Sequence, residues 1–587
     1  MTVVTRPPTV RTRVDARRAA VAGTLAAAVA LSVSVLVDAF VRSVPSLVAV
    51  VGQAVIRHTP GFLSRGATET VGTADKPLLL ALIVALALGI GARVGVAASR
   101  RRPTGDVALA AFGLFAVVCA ASLPDVSVGA TLASAALAAT AGALTLRRLL
   151  AATSSSPPAP ALATGSLPAE LDASQAGAAP ILPVSPAPPT LPVDATGAPP
   201  DVRDEPALTI GDSVPDETGP GPTAYPGERH VSRRRFIVAG STAAGGAAAV
   251  LTGAWGLRRS LGGSSPQASV VLPGAAGGPP ALGAASDGFH EVDGLSPLVT
   301  PNRKFYRIDE ALMVPSVNLD SWRLRVTGMV DSPFELSYDD LLALPLVERH
   351  ITLSCVSNQV GGPLVGTAKW LGVRLVDLLS RAGVHPGASQ LVGRSVDGFT
   401  VGFPVEVATD GRDALVAVGM NGEPLPSWHG FPARLVVPGL YGYVSATKWL
   451  EEIELTTFDA FDPYWVERNW SRKGPVKVQS RVDVPRDRSW VAAGALTVAG
   501  VAWAPHRGVG RVEVQVDDGP WHEAALGPAL GDDAWRQWSL PWDATPGEHV
   551  IAVRATTGDG EVQTPTNRPV FPDGATGHHR VTVQVTP

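Results

Sequence analysis

Long apolar runs alternate with short charged segments over the first quarter of the chain. Nearly uncharged stretches cover residues 19–40, 78–96, 107–123 and 126–146. Each is close to the ~20 residues that a helix needs to cross a hydrocarbon core. The pattern predicts an N-terminal α-helical transmembrane region over residues 1–150, with about four spans.

Basic residues fall consistently on one side of these predicted spans. They precede the first span, separate the second from the third at Arg100-Arg101-Arg102, and follow the fourth at Arg147-Arg148. The positive-inside rule makes that side cytoplasmic. The half-apolar segment 44–63 carries Arg57 and His58, and we interpret it as interfacial or as part of a loop.

The next stretch, residues 151–232, is rich in Pro, Ala, Ser, Thr and Gly and has no apolar period. This composition predicts a disordered linker. Residues 233–258 then begin with Arg233-Arg234-Arg235-Phe236 and continue as an Ala/Gly-rich apolar run, which resembles a twin-arginine signal. A fifth transmembrane helix with a basic anchor is the alternative. Either interpretation places the remainder outside the cytoplasm.

The chain becomes typical of globular proteins from about residue 286, and the remaining length suffices for two domains, 286–474 and 475–587. The second has alternating apolar and polar positions over residues 495–502, 509–516 and 549–555, separated by Gly and Asp turns. This pattern predicts an all-β, immunoglobulin-like sandwich.

Composition removes several classes of function. The formal net charge is -4, and no basic stripe is present, which argues against a nucleic-acid partner. The only cysteines, Cys119 and Cys355, cannot form a disulfide framework or a four-cysteine zinc site. Cys355 follows a β-rich run and precedes a Gly-Gly-Pro turn, so it is either a buried structural cysteine or a soft metal ligand. The histidines show no ligand spacing around it, so a metal would have to bring its other ligands.

Several separate blocks, in the right order, resemble the sulfite oxidase family of molybdopterin enzymes. They lie in the stretch from about residue 301 to residue 587, at residues 301–309, 354–358, 420–426, 429–434, 438–442 and 448–449. The resemblance implies an α+β molybdopterin domain in residues 286–474 and a molybdenum cofactor. It also makes the C-terminal sandwich similar to the family's dimerisation domain, so a homodimer is a candidate assembly.

The resemblance also implies roles for individual residues. Cys355 would be the metal-ligating thiolate, and the pterin part of the cofactor would be held by Asn302, Phe305, Tyr306, Arg307, Asn358, His429, Arg434, Ser445, Thr447 and Lys448. Cationic side chains and hydroxyl donors suit a pterin phosphate. Taken alone, Arg434 could equally form an ordinary salt bridge.

Two departures from the family pattern concern the substrate. Where the animal and plant enzymes have Ala-Gly-Asn-Arg-Arg after the cysteine, this chain has residues 356–360, Val-Ser-Asn-Gln-Val, and lacks the cationic pair. Trp470 stands where the family has an active-site tyrosine, and it offers an N–H donor but no titratable hydroxyl. Arg468 either supplies a positive charge near the substrate or pairs with Glu467 or Asp462 at the surface.

The N-terminal region lacks the residues that would bind a haem for electron transfer. Only His58 occurs before residue 230, and no Cys-x-x-Cys-His motif is present, so we expect a separate electron-transfer partner. The sequence thus predicts a multi-pass membrane protein with an extracytoplasmic oxidoreductase domain. This domain would transfer an oxygen atom and two electrons to or from a small molecule, with Cys355, Arg468 and Trp470 as catalytic residues. The alternatives are S-oxide or N-oxide reduction and a non-catalytic, anchored interaction module.

Overall fold

A computed structural model describes residues 15–41, 44–60, 75–123, 126–153, 236–250, 252, 266–276, 289, 291–312 and 314–587. Its N-terminal part is a bundle of helices. The helices are α1 (Ala16–Phe40), α2 (Leu47–His58), α3 (Asp75–Arg100), α4 (Pro103–Ala121), α5 (Val128–Thr153) and α6 (Phe236–Val250). The first three residues of the predicted linker, 151–153, form the end of α5, whereas the rest of the linker and the three arginines of the signal-like motif lie outside the described residues.

Four of these helices, α1, α3, α4 and α5, are long and apolar enough to be candidate membrane spans. They correspond to the four runs seen in the sequence. Helix α3 extends a few residues further at both ends, and α5 extends further at its C-terminal end. Helix α2 is different, because its 12 residues would reach only about 18 Å. The segment 47–58 therefore forms a short helix rather than a loop, with the Ser46 hydroxyl accepting a hydrogen bond from Ala49 N at its start.

Small residues let α1 and α3 approach backbone to backbone. A Cβ atom placed on Gly23 would lie 1.9 Å from the carbonyl oxygen of Gly91, and one on Gly95 would lie 2.1 Å from that of Ala19. Gly91 and Gly95 are four residues apart and share one face of α3, the spacing typical of close helix pairs in membranes. This packing fixes the bundle without large interlocking side chains.

The next domain is built from two antiparallel or mixed sheets with three short helices. The first sheet contains β1 (Leu324–Gly328), β2 (Phe334–Leu336), β5 (Gln390–Ser395), β6 (Thr400–Pro404) and β10 (Leu450–Thr456). The second contains β3 (Leu346–Ser354), β4 (Val365–Arg374), β7 (Leu415–Met420), β8 (Glu423–Pro424) and β9 (Arg434–Val436). The helices are α7 (Tyr338–Leu342), α8 (Leu375–Ala382) and α9 (Gly442–Ser445).

Strand order explains where the functional residues meet. The first sheet runs β2-β1-β10-β5-β6, with β1 and β10 parallel, and the second runs β3-β4-β7-β8 with β9 also paired to β7. One apolar core, which includes Leu324, Ile351, Trp370 and Phe403, lies between the sheets. The end of β3, the β5–β6 hairpin and the β9–α9–β10 segment project beyond this core and surround one cavity.

The C-terminal part contains two more sheets. Their strands are β11 (Gln479–Val484), β12 (Ser489–Ala492), β13 (Gly494–Trp503), β14 (Val509–Val516), β15 (Trp521–Glu523), β16 (Ala525–Leu526), β17 (Arg536–Ala544), β18 (Gly547–Thr557) and β19 (His579–Thr586). The orders are β11-β13-β17-β16 and β12-β19-β18-β14-β15. Val498, Val512, Trp538 and Val583 pack in one core drawn from both sheets. The three strand runs identified in the sequence correspond to β13, β14 and β18.

The helical bundle touches the first β-rich domain directly. Lys76, at the start of α3, donates hydrogen bonds to the carbonyl oxygens of Asp309 and Ala311, the latter at 3.1 Å. The side-chain oxygen of Gln53, on α2, accepts a hydrogen bond from Leu312 N at 2.8 Å. These contacts hold residues 309–312 against the helices, immediately beside the cavity.

Trp535 joins the C-terminal sheets to the preceding domain. It is 2% exposed and packs in the core of that domain. Its indole N–H donates to Leu298 O at 2.8 Å, and its backbone N–H donates to the Thr352 hydroxyl at 2.7 Å. Thr352 lies on β3 three residues before Cys355, so this junction supports the strand that carries the cysteine.

The Trp535→Ala variant should lose about 3–5 kcal/mol of unfolding free energy, since it removes a large buried side chain and leaves the Leu298 carbonyl unpaired. Trp490 is 74% exposed, so Trp490→Ala is the matched control and should change stability by less than about 0.5 kcal/mol. Thermal unfolding followed by tryptophan fluorescence measures both. Equal effects would contradict the assigned role of Trp535.

Candidate active site

The Cys355 cavity, named for its buried cysteine, has a volume of about 120 Å³. Cys355 is the first residue after β3, and its backbone N–H donates to Leu364 O at 2.9 Å. Asn358 closes the same loop, because its side-chain oxygen accepts a hydrogen bond from Leu364 N at 2.8 Å. These two bonds fix the loop that follows the strand and hold the cysteine at the cavity wall.

Burial determines the state of the Cys355 thiol. Burial raises its pKa, and hydrogen bonding from Ser357 offsets this only in part. The thiol is therefore protonated at neutral pH when no metal ion is bound. A metal ion would reverse this preference, since metals bind the thiolate and displace the proton.

Arg434, the first residue of β9, brings a buried cation to the same cavity. It is 3% exposed, and its guanidinium donates to the carbonyl oxygens of His429 at 3.1 Å and Leu435 at 3.4 Å. Among the described residues it forms no ion pair with a carboxylate. Burial lowers its pKa to about 10, which marks the cost of a cation without an anionic partner. The cavity is consequently suited to a group that carries negative charge.

Lys448 adds a second cation, held by Asp309. The Lys448 ammonium pairs with Asp309 and donates to Ile308 O at 3.0 Å, and Arg307 pairs with the same carboxylate. Burial would raise the pKa of Asp309, but Lys448 and Arg307 outweigh it and keep the pKa below the ordinary value. Burial also lowers the pKa of Lys448 to about 8, despite Asp309. One carboxylate thus faces three cations, counting Arg434.

A layer behind the wall contains His429 and Asn302. The His429 ring nitrogen Nε2 lies 2.8 Å from Asn302 O, and its ring meets Phe305 edge to face at 5.6 Å between centroids. Burial lowers the pKa of His429 to about 4, so it is neutral at physiological pH. Asn302 is also held through Asn421, whose amide donates to it at 2.8 Å.

The residues that the sequence assigned to the cofactor do not all line this cavity. Those that line it are Phe305, Tyr306, Cys355, Arg434 and Lys448. The structure places the others behind the wall or beside it: Asn302, Arg307, Asn358, His429, Ser445 and Thr447. Ser445 donates to Tyr441 O at 3.0 Å, whereas the fully buried Thr447 hydroxyl has no partner within the described residues.

The opposite end of the cavity is aromatic and contains Trp470. Its lining there includes Phe399, Tyr443 and Trp465, and Trp470 packs against the last two. The Trp470 indole N–H is buried and makes no hydrogen bond with the described part of the chain. A buried donor without a partner is costly, so this end of the cavity is suited to an acceptor atom.

Arg468 lies in an adjoining cavity, not in the Cys355 cavity. Its guanidinium stacks 3.6 Å from the Tyr464 ring centroid and donates to Tyr464 O at 2.8 Å. It also lies 3.5 Å from a carboxylate oxygen of Glu467. Of the two alternatives that the sequence left open, each holds in part: Arg468 lies close to Glu467, and it also lines a cavity next to the Cys355 cavity.

Two carboxyl groups in the cavity wall escaped the sequence reasoning. Glu310 accepts a hydrogen bond from the Tyr464 hydroxyl at 3.0 Å, and Asp397 sits at the tip of the β5–β6 hairpin. Burial raises the pKa of both. Asp397 precedes a glycine and reads from sequence as a turn residue, so only the folded hairpin places it beside Cys355.

Comparison with known proteins identifies the domain that carries this cavity. Residues 311–465 match the oxidoreductase molybdopterin binding domain. Human mitochondrial sulfite oxidase is 31% identical over 344 residues, which are 49% of this chain and 62% of that protein. Chicken sulfite oxidase is 30% identical over 325 residues, 46% of this chain and 70% of that protein. The crystal structure of sulfane dehydrogenase SoxCD from Paracoccus pantotrophus is 24% identical, with a TM-score of 0.44, over 49% of this chain and 82% of that one.

The chain spans about three fifths of the length of the human relative. Its described N-terminal helices lie before the matched domain. The family match, the buried cysteine and the buried unpaired arginine agree with one another. The chain belongs to the sulfite oxidase family of molybdopterin-dependent oxidoreductases, and its cofactor is molybdopterin with molybdenum.

Proposed function

We propose that this protein transfers an oxygen atom, with two electrons, between water and a small molecule outside the cytoplasm, while its N-terminal helices anchor it in the membrane. One observation carries the proposal. The Cys355 thiol and the Arg434 guanidinium, which has no carboxylate partner among the described residues, are buried in the wall of one cavity. A soft metal ligand and an anion site are what this cofactor requires.

The residues present fit the cofactor without a cluster of protein ligands. Cys355 would hold the metal, Arg434 and Lys448 would bind the pterin phosphate, and Phe305 and Tyr306 would pack against the pterin. When bound, the cofactor supplies the metal centre at which the oxygen atom and the electrons are exchanged. No group of three His, Cys, Asp or Glu side chains suited to a metal ion occurs among the described residues.

The aromatic end of the cavity supports a small substrate with little net charge. Its polar groups include the Trp470 N–H and the carboxyl groups of Glu310 and Asp397, whose pKa values are raised by burial. Arg468, the nearby cation, stacks on Tyr464 in the adjoining cavity. This arrangement disfavours a doubly charged anion and favours a molecule that presents one acceptor oxygen.

The same observation favours a second candidate function, the reduction of an S-oxide or N-oxide. A neutral oxide would place its oxygen within reach of N–H and O–H donors, which stabilise the oxygen as its bond to sulfur or nitrogen breaks. The charge pattern along the sequence supports the extracytoplasmic location, because basic segments cluster on one side of the four candidate spans.

Cys355→Ser should abolish turnover and change the electronic spectrum of the molybdenum, because a hydroxyl replaces the thiolate ligand. Cys119, on α4, is the chain's other cysteine, and Cys119→Ser is the matched control. Metal analysis, pterin content and spectra of the full chain in detergent make the comparison. Well-folded wild-type protein without molybdenum or pterin, from a host that makes the cofactor, would refute the enzyme proposal.

Arg434→Met should lower the pterin content by about tenfold or more, since charge-assisted hydrogen bonds contribute ~1.5–3 kcal/mol. It should leave the cofactor-free chain as stable as the wild type or more so, because the substitution removes a buried cation without a carboxylate partner. Arg412→Met is the control, since Arg412 pairs with Asp410 away from the cavity. That variant should keep its pterin. Equal pterin loss in both variants would contradict the anion site.

Lys448 makes the cofactor-free chain more stable at alkaline pH. Its folded pKa of about 8 lies below the unfolded value of ~10.4, so the unfolded chain binds more protons between these values. The unfolding free energy should therefore rise by up to about 3 kcal/mol from pH 8 to pH 10.5. Thermal midpoints across this range should rise less in Lys448→Met and in cofactor-loaded protein. A Lys448→Met profile parallel to the wild type would exclude Lys448 as the cause.

A further inference from the structure

A cavity of about 430 Å³, here called the junction cavity, lies between the helical bundle and the molybdopterin domain. Its size is within the ~300–1,000 Å³ typical of ligand sites. The bundle contributes Pro45, Ala49, Val50, Gln53, Leu123 and Val126 to the wall, all but one of them apolar. These residues lie on α2, just before it, and in the connection from α4 to α5, where the candidate spans end.

The other wall of the junction cavity comes from the molybdopterin domain and is mixed in character. Its polar residues include Ser321, Arg325 and Asp397, and its apolar residues include Val317 and Trp322. Asp397 also lines the Cys355 cavity, so the two cavities share a residue. A ligand in the junction cavity would therefore have an apolar side toward the helices and its other side next to a residue of the Cys355 cavity.

Gln53 offers a donor inside this space. Its side-chain oxygen already accepts the hydrogen bond from Leu312 N, while its NH₂ group makes no hydrogen bond with the described residues. Arg325, on the opposite wall, adds guanidinium N–H donors. N–H donors on opposite walls are suited to a flat ring that carries two carbonyl oxygens.

We propose that the junction cavity binds the head group of a membrane quinone, which exchanges electrons with the molybdenum site. The inference rests on the proposed function and supplies its electron partner. In the oxidative direction water gives its oxygen atom to the substrate X, forming an X–O bond and releasing two protons and two electrons. The quinone takes up all four as two new O–H bonds, so that X + H₂O + quinone gives XO + quinol.

Three observations favour a quinone over a protein carrier. Helices α2 and α3 cover the segment 309–312 beside the Cys355 cavity, which keeps a soluble protein from that face. The sequence before residue 230 has one histidine, too few for a haem pair. The apolar wall lies at the ends of the candidate spans, where the tail of a lipid-soluble carrier would enter.

The test uses the full, cofactor-loaded chain in lipid nanodiscs and a short-chain benzoquinone that carries a photoreactive azide. Illumination should label peptides from residues 44–57 or 311–325, and the cofactor-free chain should be labelled at the same places. Excess unlabelled short-chain benzoquinone should compete. Labelling elsewhere, or none, overturns the proposal whatever the substrate is.

Variants on the two walls sharpen the test. Val50→Trp fills the cavity from α2 and should lower labelling by about tenfold or more, which corresponds to about 1.4 kcal/mol of binding free energy. Val55→Trp is the matched control, because Val55 lies on the same helix, is 40% exposed and does not line the cavity. Ser321→Trp fills the opposite wall at an exposed position, should any change in α2 prevent folding. Undiminished labelling in these filled variants overturns the site.

Turnover separates this inference from the proposed function. With a neutral organic sulfide as substrate, the wild type should reduce both the short-chain benzoquinone and ferricyanide. Val50→Trp should lose the quinone-linked rate and keep the ferricyanide-linked rate. A wild type that reduces ferricyanide or a soluble cytochrome but never the quinone overturns the quinone site and leaves the proposed function intact. A chain that contains no molybdenum overturns the proposed function instead.

Discussion

The buried guanidinium of Arg434 is the constraint on which the site depends. A cation this deep in a protein is stable only when something compensates for the lost water, and here the described protein groups around it are carbonyl oxygens and the face of Trp370. The Asp309 carboxylate nearby is already shared by Lys448 and Arg307. The compensation must come from an anionic group that enters the cavity. Lys448, in the same wall, adds a second positive charge for such a group.

The sheets explain how Arg434 and Cys355 come to line the same cavity. Arg434 opens β9 and Cys355 follows β3, two strands of one sheet that are separated by β4 and β7. The loop after β3 is fixed by Asn358 and Leu364, while Trp535 from the C-terminal sheets supports the strand itself.

The helical bundle is more than a neighbour of the active site. Lys76 and Gln53 bind the backbone of residues 309–312, which carries Asp309 and Glu310 into the cavity wall. Movement of the bundle would therefore shift the carboxylate that holds Lys448 and the carboxyl group at the aromatic end. These contacts connect the N-terminal region directly to residues that line the Cys355 cavity. The junction cavity lies beside the same contacts.

The sequence by itself determined the four long apolar helices, three of the C-terminal strands and the family blocks around Cys355 and Arg434. These follow from local composition, from periodicity and from short motifs, which are properties of neighbouring residues. It could not place Asp397, Glu310 or Gln53, because each reads as an ordinary turn, loop or helix residue. Only the tertiary structure brings a hairpin tip, an irregular segment and a short helix to the walls of neighbouring cavities, since their proximity depends on strand order and on how the bundle packs. Arg468 shows the same limit. The sequence revealed the motif that contains it, but only the structure shows that its guanidinium stacks on Tyr464 and lies in the adjoining cavity.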